Sequence, residues 1–309
     1  MTAAPGRSQA SSHRSPQGGG IPVSAARGFV DQPPATTPET GGWTLLRPFN
    51  PRIRQWVGLR VWVVGGSTGI GRATALALAE RGAQVMVSAR GVSALDALVA
   101  EHRQAVREQR PLQAWPLDVT DAAAVRATAR EMLAQGPLDL VIYCAGHYRA
   151  MRAHGFDLVE LQRHLDINYR GALHVLDAVL PALRERGRGH ISLVSSVAGY
   201  RGLPQSLAYG PTKAALTNLA ESLYLDLQPL GLGLSVVHPG FVQTPLTAQN
   251  AFDMPALITP EQAAQAMIDG WAAGAFDIHY PKRFTRWMKL LRVLPHRLYF
   301  PLVRRLTGL

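Results

Sequence analysis

The stretch "RVWVVGGSTGIGRATALALAERG" runs from Arg60 to Gly82. It opens with "RVWVV" (60–64), a short apolar, mostly β-branched run that reads as a buried strand. It closes with an Ala/Leu-rich segment ending at Gly82, a residue type that stops helices. Between the two, Gly65, Gly69 and Gly71 stand in the spacing G-x-x-x-G-x-G. Such a junction turns a strand sharply into a helix, lets backbone approach a pyrophosphate, and leaves the first helical amides free to receive it. An isolated glycine cluster is often only a turn. At the first strand–helix junction of an alternating chain, the dinucleotide reading is the stronger one.

That alternation continues. Strands are predicted at 84–90, 112–119, 138–146, 190–196 and 233–240. Helices are predicted at 71–82, onward to about Gln109, at 121–136, in two pieces over 156–186, at 206–228 and again from Thr259. There Thr259 is placed to cap and Pro260 to take the first helical position. Strands separated by helices call for an α/β architecture: a Rossmann-type doubly wound parallel sheet with helices on both faces.

Residues 1–42 are rich in Pro, Gly, Ser, Thr and Ala and lack periodicity, so a disordered N-terminal tail is expected over 1–45. A dinucleotide-binding catalytic domain is expected over 46–282 and a basic amphipathic extension over 283–309. The net charge of +11 is not spread evenly. Residues 61–280 hold 17 Lys and Arg against 19 Asp and Glu, residues 1–60 hold 7 against 2, and residues 281–309 hold 8 against none. The middle carries no excess of positive charge, which argues against nucleic acid as a partner. No run of about 18 apolar residues reads as a spanning helix, and no secretory leader is evident. Cys144 is the single cysteine, so neither an internal disulfide nor a cysteine-based zinc site is possible. No metal site is expected, and a cytoplasmic location fits.

Arg90 ends the second strand, and residues 88–90 hold no acid to take the ribose hydroxyls of NAD. A guanidinium there suits a 2′-phosphate, so NADP(H) is the expected cofactor. Further along, "YGPTK" (209–213) sets Tyr209 and Lys213 four residues apart, on one face of a helix whose first turn tolerates Pro211. A phenol titrates near ~10, too high for a base at neutrality, and a nearby ammonium favours its ionised form.

Taken together these residues resemble the short-chain dehydrogenase/reductase family. The resemblance covers about residues 58–282 and rests on the glycine turn at 65–71, "LDVT" (117–120), "CAG" (144–146), "IN" (167–168), "SSVAG" (195–199), "YGPTK" and "HPGFVQT" (238–244). It implies that Tyr209 exchanges a proton with the substrate oxygen and that Lys213 binds the nicotinamide ribose and lowers the tyrosine's pKa. It further implies that Ser196, thirteen residues before Tyr209, holds the carbonyl and that Asn168 supports a water-linked relay. Ser195, at a spacing of fourteen, is the lesser candidate.

For the cofactor the resemblance implies contacts from Gly65, Ser67, Thr68, Gly69, Ile70, Gly71, Arg90, Asp118, Val119, Ala145, Gly146, Tyr209, Lys213, Pro239, Val242 and Thr244. Asp118 would accept from the adenine amine. The Val242 amide and Thr244 hydroxyl would lie near the carboxamide. Val64 and Tyr143–Cys144 depart from the family's usual threonine and asparagine pair, which leaves the tie between glycine turn and fourth strand open. Cys144 itself reads as a small buried residue. The family often forms homo-oligomers.

Leu246, Phe252, Met254, Leu257 and Ile258 favour a hydrophobic carbonyl or alcohol as substrate, or simply pack on the core. On a helix from Arg283 to Leu294, Phe284, Trp287, Met288, Leu291 and Leu294 would share one side, opposite Arg286, Lys289 and Arg292. This suits the peripheral surface of an anionic membrane, on its inner face, or a helix packed on its own core or across a dimer. The expected activity is NADP(H)-dependent interconversion of a carbonyl and an alcohol. The alternative is a non-catalytic NADP(H)-binding, membrane-associated interaction protein, disfavoured by the intact Ser/Tyr/Lys set. A sugar-nucleotide epimerase or dehydratase is disfavoured by the modest length of chain after Gly240.

Overall fold

The computed structural model describes residues 47–105, 112–250 and 253–308. The expected tail at 1–45 lies outside the described residues, as does Phe252. Seven parallel strands form one sheet in the order β3-β2-β1-β4-β5-β6-β7. They are β1 (Arg60–Val64), β2 (Gln84–Ala89), β3 (Gln113–Pro116), β4 (Leu140–Tyr143), β5 (His190–Val194), β6 (Gly233–Pro239) and β7 (Asp277–Tyr280). The helices are α1 (Gly69–Glu80), α2 (Val92–Ala105), α3 (Ala122–Ala134), α4 (Leu158–Leu165), α5 (Gly171–Arg186), α6 (Tyr209–Leu227), α7 (Pro260–Ala273), α8 (Lys282–Val293) and α9 (His296–Thr307).

The sheet is the expected doubly wound one, buried on both faces. One core layer gathers Leu78, Val63, Val85, Ile142 and Trp271. The other gathers Trp62, Met86, Val141, Val179 and Leu234. Alternate residues of β1 divide between the two, as the two-residue period of a strand requires. Thr259 accepts from the Gln262 amide while the Gln262 side chain returns to the Thr259 amide, so α7 begins with a full capping box. The segment before β1 is fastened at the far side of the sheet. Asn50 Nδ2 donates to Leu234 O at 2.8 Å, and Leu234 N donates back to Asn50 Oδ1 at 2.9 Å.

Two features differ from expectation. β7 is an additional edge strand, paired to β6 from Val236↔Asp277 to Pro239↔Tyr280. Its four residues include Asp277 and His279, which hide the apolar signal. The C-terminal region is also not turned as expected. Phe284, Met288 and Leu291 pack on Val197 and Tyr200, whereas Trp287 stands 68% exposed. Lys289 is drawn inward by Asp277, at 2.5 Å. The carboxyl of Asp277, pushed up by burial, is brought down to about 2 by His238 and Lys289.

His190 at the start of β5 is buried, and burial lowers its imidazole from 6.5 to about 3. Between those values the unfolded chain binds a proton that the folded chain does not, so stability rises with pH across that window. His190→Gln should therefore show a shallower loss of melting temperature than wild type as pH falls from 6.5 toward 4.

Candidate active site

All the functional segments converge at the carboxyl ends of the parallel strands, across the point where strand order reverses between β1 and β4. A cavity of about 430 Å³ opens there. The glycine turn forms its floor. Gly65 has φ +85°, and a Cβ on it would lie 2.4 Å from the Ala145 backbone. The glycine therefore permits direct packing of the turn against the strand-4 loop. Thr68 precedes α1 without a capping side-chain bond, and no acidic residue sits in the first turn. Those amides are left for an anion.

Tyr209 and Lys213 lie in the first two turns of α6. The turn after β5, Val197–Gly199, packs so tightly on this helix that a Cβ on Gly199 would come 2.7 Å from the Lys213 carbonyl carbon. That contact sets Ser196 beside Tyr209 on the cavity wall, and the Ser196 Oγ accepts from Ala198 N at 3.1 Å. Ser195 is spent differently: its Oγ donates to Lys213 O at 2.7 Å. Lys213 is 3% exposed and donates through Nζ to Val194 O at 2.8 Å. Burial lowers its ammonium from 10.5 to about 8.

The expectation of a lowered Tyr209 pKa is not met in this protein. Burial raises the phenol, with the Ser196 hydroxyl working the other way. Lys213 is committed to the Val194 carbonyl, and its Nζ stands 5.5 Å from the Tyr209 ring centre. Desolvation of the phenolate therefore dominates. Tyr148, which sequence reasoning missed, packs edge-on against Tyr209 with ring centres 5.1 Å apart. Its position two residues after "CAG" was the available signal.

Asn168 is fully buried and lies behind the cavity wall. It sits in a one-turn π-helix, Asp166–Arg170, between α4 and α5. Such turns frequently mark functional sites. Its Oδ1 accepts from His147 N at 2.7 Å, and its Nδ2 donates to His147 O at 2.9 Å and to Thr212 Oγ1 at 3.0 Å. It thus joins the strand-4 loop to the start of α6. Tyr143, where the sequence departs from the family, serves this network rather than the glycine turn. Its buried hydroxyl donates to Ile167 O at 2.5 Å, anchoring the π-turn one residue before Asn168.

The remaining predicted contacts, Gly65, Ser67, Thr68, Gly69, Ile70, Gly71, Arg90, Asp118, Val119, Ala145, Gly146, Pro239, Val242 and Thr244, all line the cavity with Ser196, Tyr209 and Lys213. Asp118 Oδ1 accepts from Thr120 N and Oγ1. Burial pushes the Asp118 carboxyl up, but those bonds and Arg90 bring it below the usual range. Arg72 is ion-paired to Glu101, whereas Arg90 is exposed on the cavity wall. Burial raises the Cys144 thiol to about 11, which makes it a poor nucleophile. Of the apolar loop residues, Leu246 lines the cavity, Ile258 packs on the core and Leu257 is 43% exposed. The donor set, the unfilled helix terminus and the cavity fit a dinucleotide.

Residues 60–254 match the profile of the family described as "short chain dehydrogenase". An uncharacterised oxidoreductase of Myxococcus xanthus is 38% identical over 245 residues, covering 79% of this chain and 96% of that protein. A 2-keto-3-deoxy-L-fuconate dehydrogenase of Xanthomonas campestris is 36% identical over 209 residues, covering 67% of this chain and 66% of that protein. Among solved structures, a short-chain dehydrogenase from Streptomyces avermitilis superposes with a TM-score of 0.67 at 25% identity, covering 81% of this chain and 98% of its own.

Gly65→Ala should destabilise the fold by more than about 1 kcal/mol, because an alanine is strained at that φ and collides with backbone. Gly146→Ala is the control, since its Cβ would meet nothing closer than 3.8 Å. Urea midpoints of the two variants check this.

Proposed function

Given that this chain belongs to the short-chain dehydrogenase family, oxidoreductases that use NAD(P)(H) on small molecules bearing a CH–OH group, we propose that it reduces a hydrophobic ketone or aldehyde with NADPH. The observation that carries this reading is the meeting of Ser196, Tyr209 and Lys213 on one cavity wall, with Tyr209 kept protonated.

In this mechanism the Ser196 and Tyr209 hydroxyls hold the carbonyl oxygen. Tyr209 passes its proton to that oxygen as negative charge develops there. A bound nicotinamide dinucleotide supplies the hydride. The Lys213 ammonium, charged below about pH 8 and held on Val194 O, would bind the nicotinamide ribose. Asn168 keeps the strand-4 loop and the start of α6 in register. The glycine turn and the first amides of α1 would hold the pyrophosphate, with Asp118 and Val119 at the adenine, and Pro239, Val242 and Thr244 at the nicotinamide end. Arg90 would take the 2′-phosphate. The exposed guanidinium and the absence of any acid at 88–90 support NADP(H) over NAD(H).

Tyr148, Leu203, Phe241 and Leu246 surround the reacting end and favour an apolar substrate. A cytoplasmic setting agrees with a single, unpaired Cys144. Self-association is supported by exposed Phe156, Leu158 and Val159 at the start of α4.

A panel of apolar and polar carbonyls, 2-keto-3-deoxy sugar acids included, should show NADPH oxidation with the apolar members preferred. Tyr209→Phe should lower turnover by ~10²–10⁴-fold, and equal turnover would remove the proton-donor role. Separately, Arg90→Asp should reduce the preference for NADPH over NADH by roughly 10-fold or more, since a charge-assisted bond to phosphate is exchanged for repulsion. The ratio of kcat/KM for the two coenzymes measures it.

A further inference from the structure

α8 and α9 present two unlike faces. The inner one is spoken for: Phe284, Met288 and Leu291 pack on Val197 and Tyr200, and Tyr299 and Val303 are buried. The outer one is apolar and basic at once. Arg283, Arg286, Trp287, Leu290 and Val293 recur at intervals of three and four residues along α8 and so form a single stripe. Trp287 is 68% exposed, Leu290 51% and Val293 74%. On α9, Leu298, Leu302 and Leu306 follow at four-residue steps, with Arg305 beside them, and Leu306 is 68% exposed. No Asp or Glu occurs after Asp277.

We propose that this outward face docks the protein on a bilayer surface rich in anionic lipid. The indole and aliphatic side chains enter the headgroup boundary, and the arginines pair with lipid phosphates. The face has the two components that interfacial binding needs, apolar area and positive charge, without the length to span. A second copy of the chain would bring two faces of like charge together. A nucleic acid would engage the arginines and leave Trp287, Leu290 and Val293 without partners. This inference stands independently of the proposed catalytic activity.

The test is co-sedimentation of the full chain with vesicles of phosphatidylglycerol and phosphatidylcholine, against vesicles of phosphatidylcholine alone. Binding to the anionic vesicles is expected to be at least about tenfold tighter than to the neutral ones and to weaken as salt rises. Arg283→Gln with Arg286→Gln should weaken it by roughly 25-fold, about 1 kcal/mol for each charge. Trp287→Ala with Leu290→Ser should weaken it by about tenfold or more. All four positions are exposed, so thermal melting should be unchanged, and either pair alone suffices should the other unfold.

Absence of binding to anionic vesicles overturns the proposal, as does binding that neither pair alters. It is equally overturned if Trp287→Ala with Leu290→Ser splits an oligomer in solution, which would make this face a contact between copies. Binding to soluble polyglutamate but not to vesicles would point to an acidic protein and overturn it too.

Discussion

The site depends on one buried cation. Lys213 donates to the last carbonyl of β5, and its own carbonyl receives the Ser195 hydroxyl, so sheet and helix are laced together in both directions. A buried ammonium is costly unless its donors are used, and here a strand end supplies the acceptor. Because the lacing holds α6 against the Val197–Gly199 turn, Ser196 and Tyr209 line the same cavity across thirteen residues of chain. The same burial lowers the ammonium and raises the phenol. Burial thus favours the neutral form of both groups.

The network behind that pair is built chiefly from Tyr143, His147, Asn168 and Thr212, which lie outside the cavity lining. The Tyr143 hydroxyl pins the π-turn, the turn presents Asn168, and Asn168 bridges the His147 backbone and Thr212. Thr212 in turn donates to the Tyr209 carbonyl. Each buried polar group is met by another, so the arrangement is satisfied without leaving charge exposed to a low-dielectric interior. β7 extends this logic to the edge of the sheet, where Asp277 holds both His238 and Lys289.

Much of this could be read from the chain alone, and for identifiable reasons. Strands such as "RVWVV" are buried on both faces and therefore continuously apolar, and the glycine turn must be glycine because backbone meets backbone. The Tyr209–Lys213 interval is legible because helix periodicity fixes it, whereas Ser196 is found through the family resemblance, thirteen residues before Tyr209. β7 was not legible, since a four-residue edge strand with Asp277 and His279 carries no run of apolar residues. The sense of the Tyr209 shift was hidden as well. Sequence places a charge near a phenol, but only coordinates reveal that the charge points elsewhere and that desolvation wins. The rotation of α8 was misjudged because both of its long sides carry apolar residues. Which side packs inward was decided by Val197, Tyr200 and Asp277, all distant in sequence.

Arg201 reaches from the segment that follows the Val197–Gly199 turn to the end of α8, where its guanidinium donates to the Leu291, Arg292 and Leu294 carbonyls and lies 4.0 Å above the Tyr299 ring. Tyr299 answers with a hydroxyl bond to Gly202 O. The rim bearing Leu203 and Pro204 is thereby braced by the last two helices, as a lintel is braced by its posts. Whatever pulls on those helices, whether a fused partner, a surface or a cut in the chain, changes the shape of the doorway through which a reactant must pass.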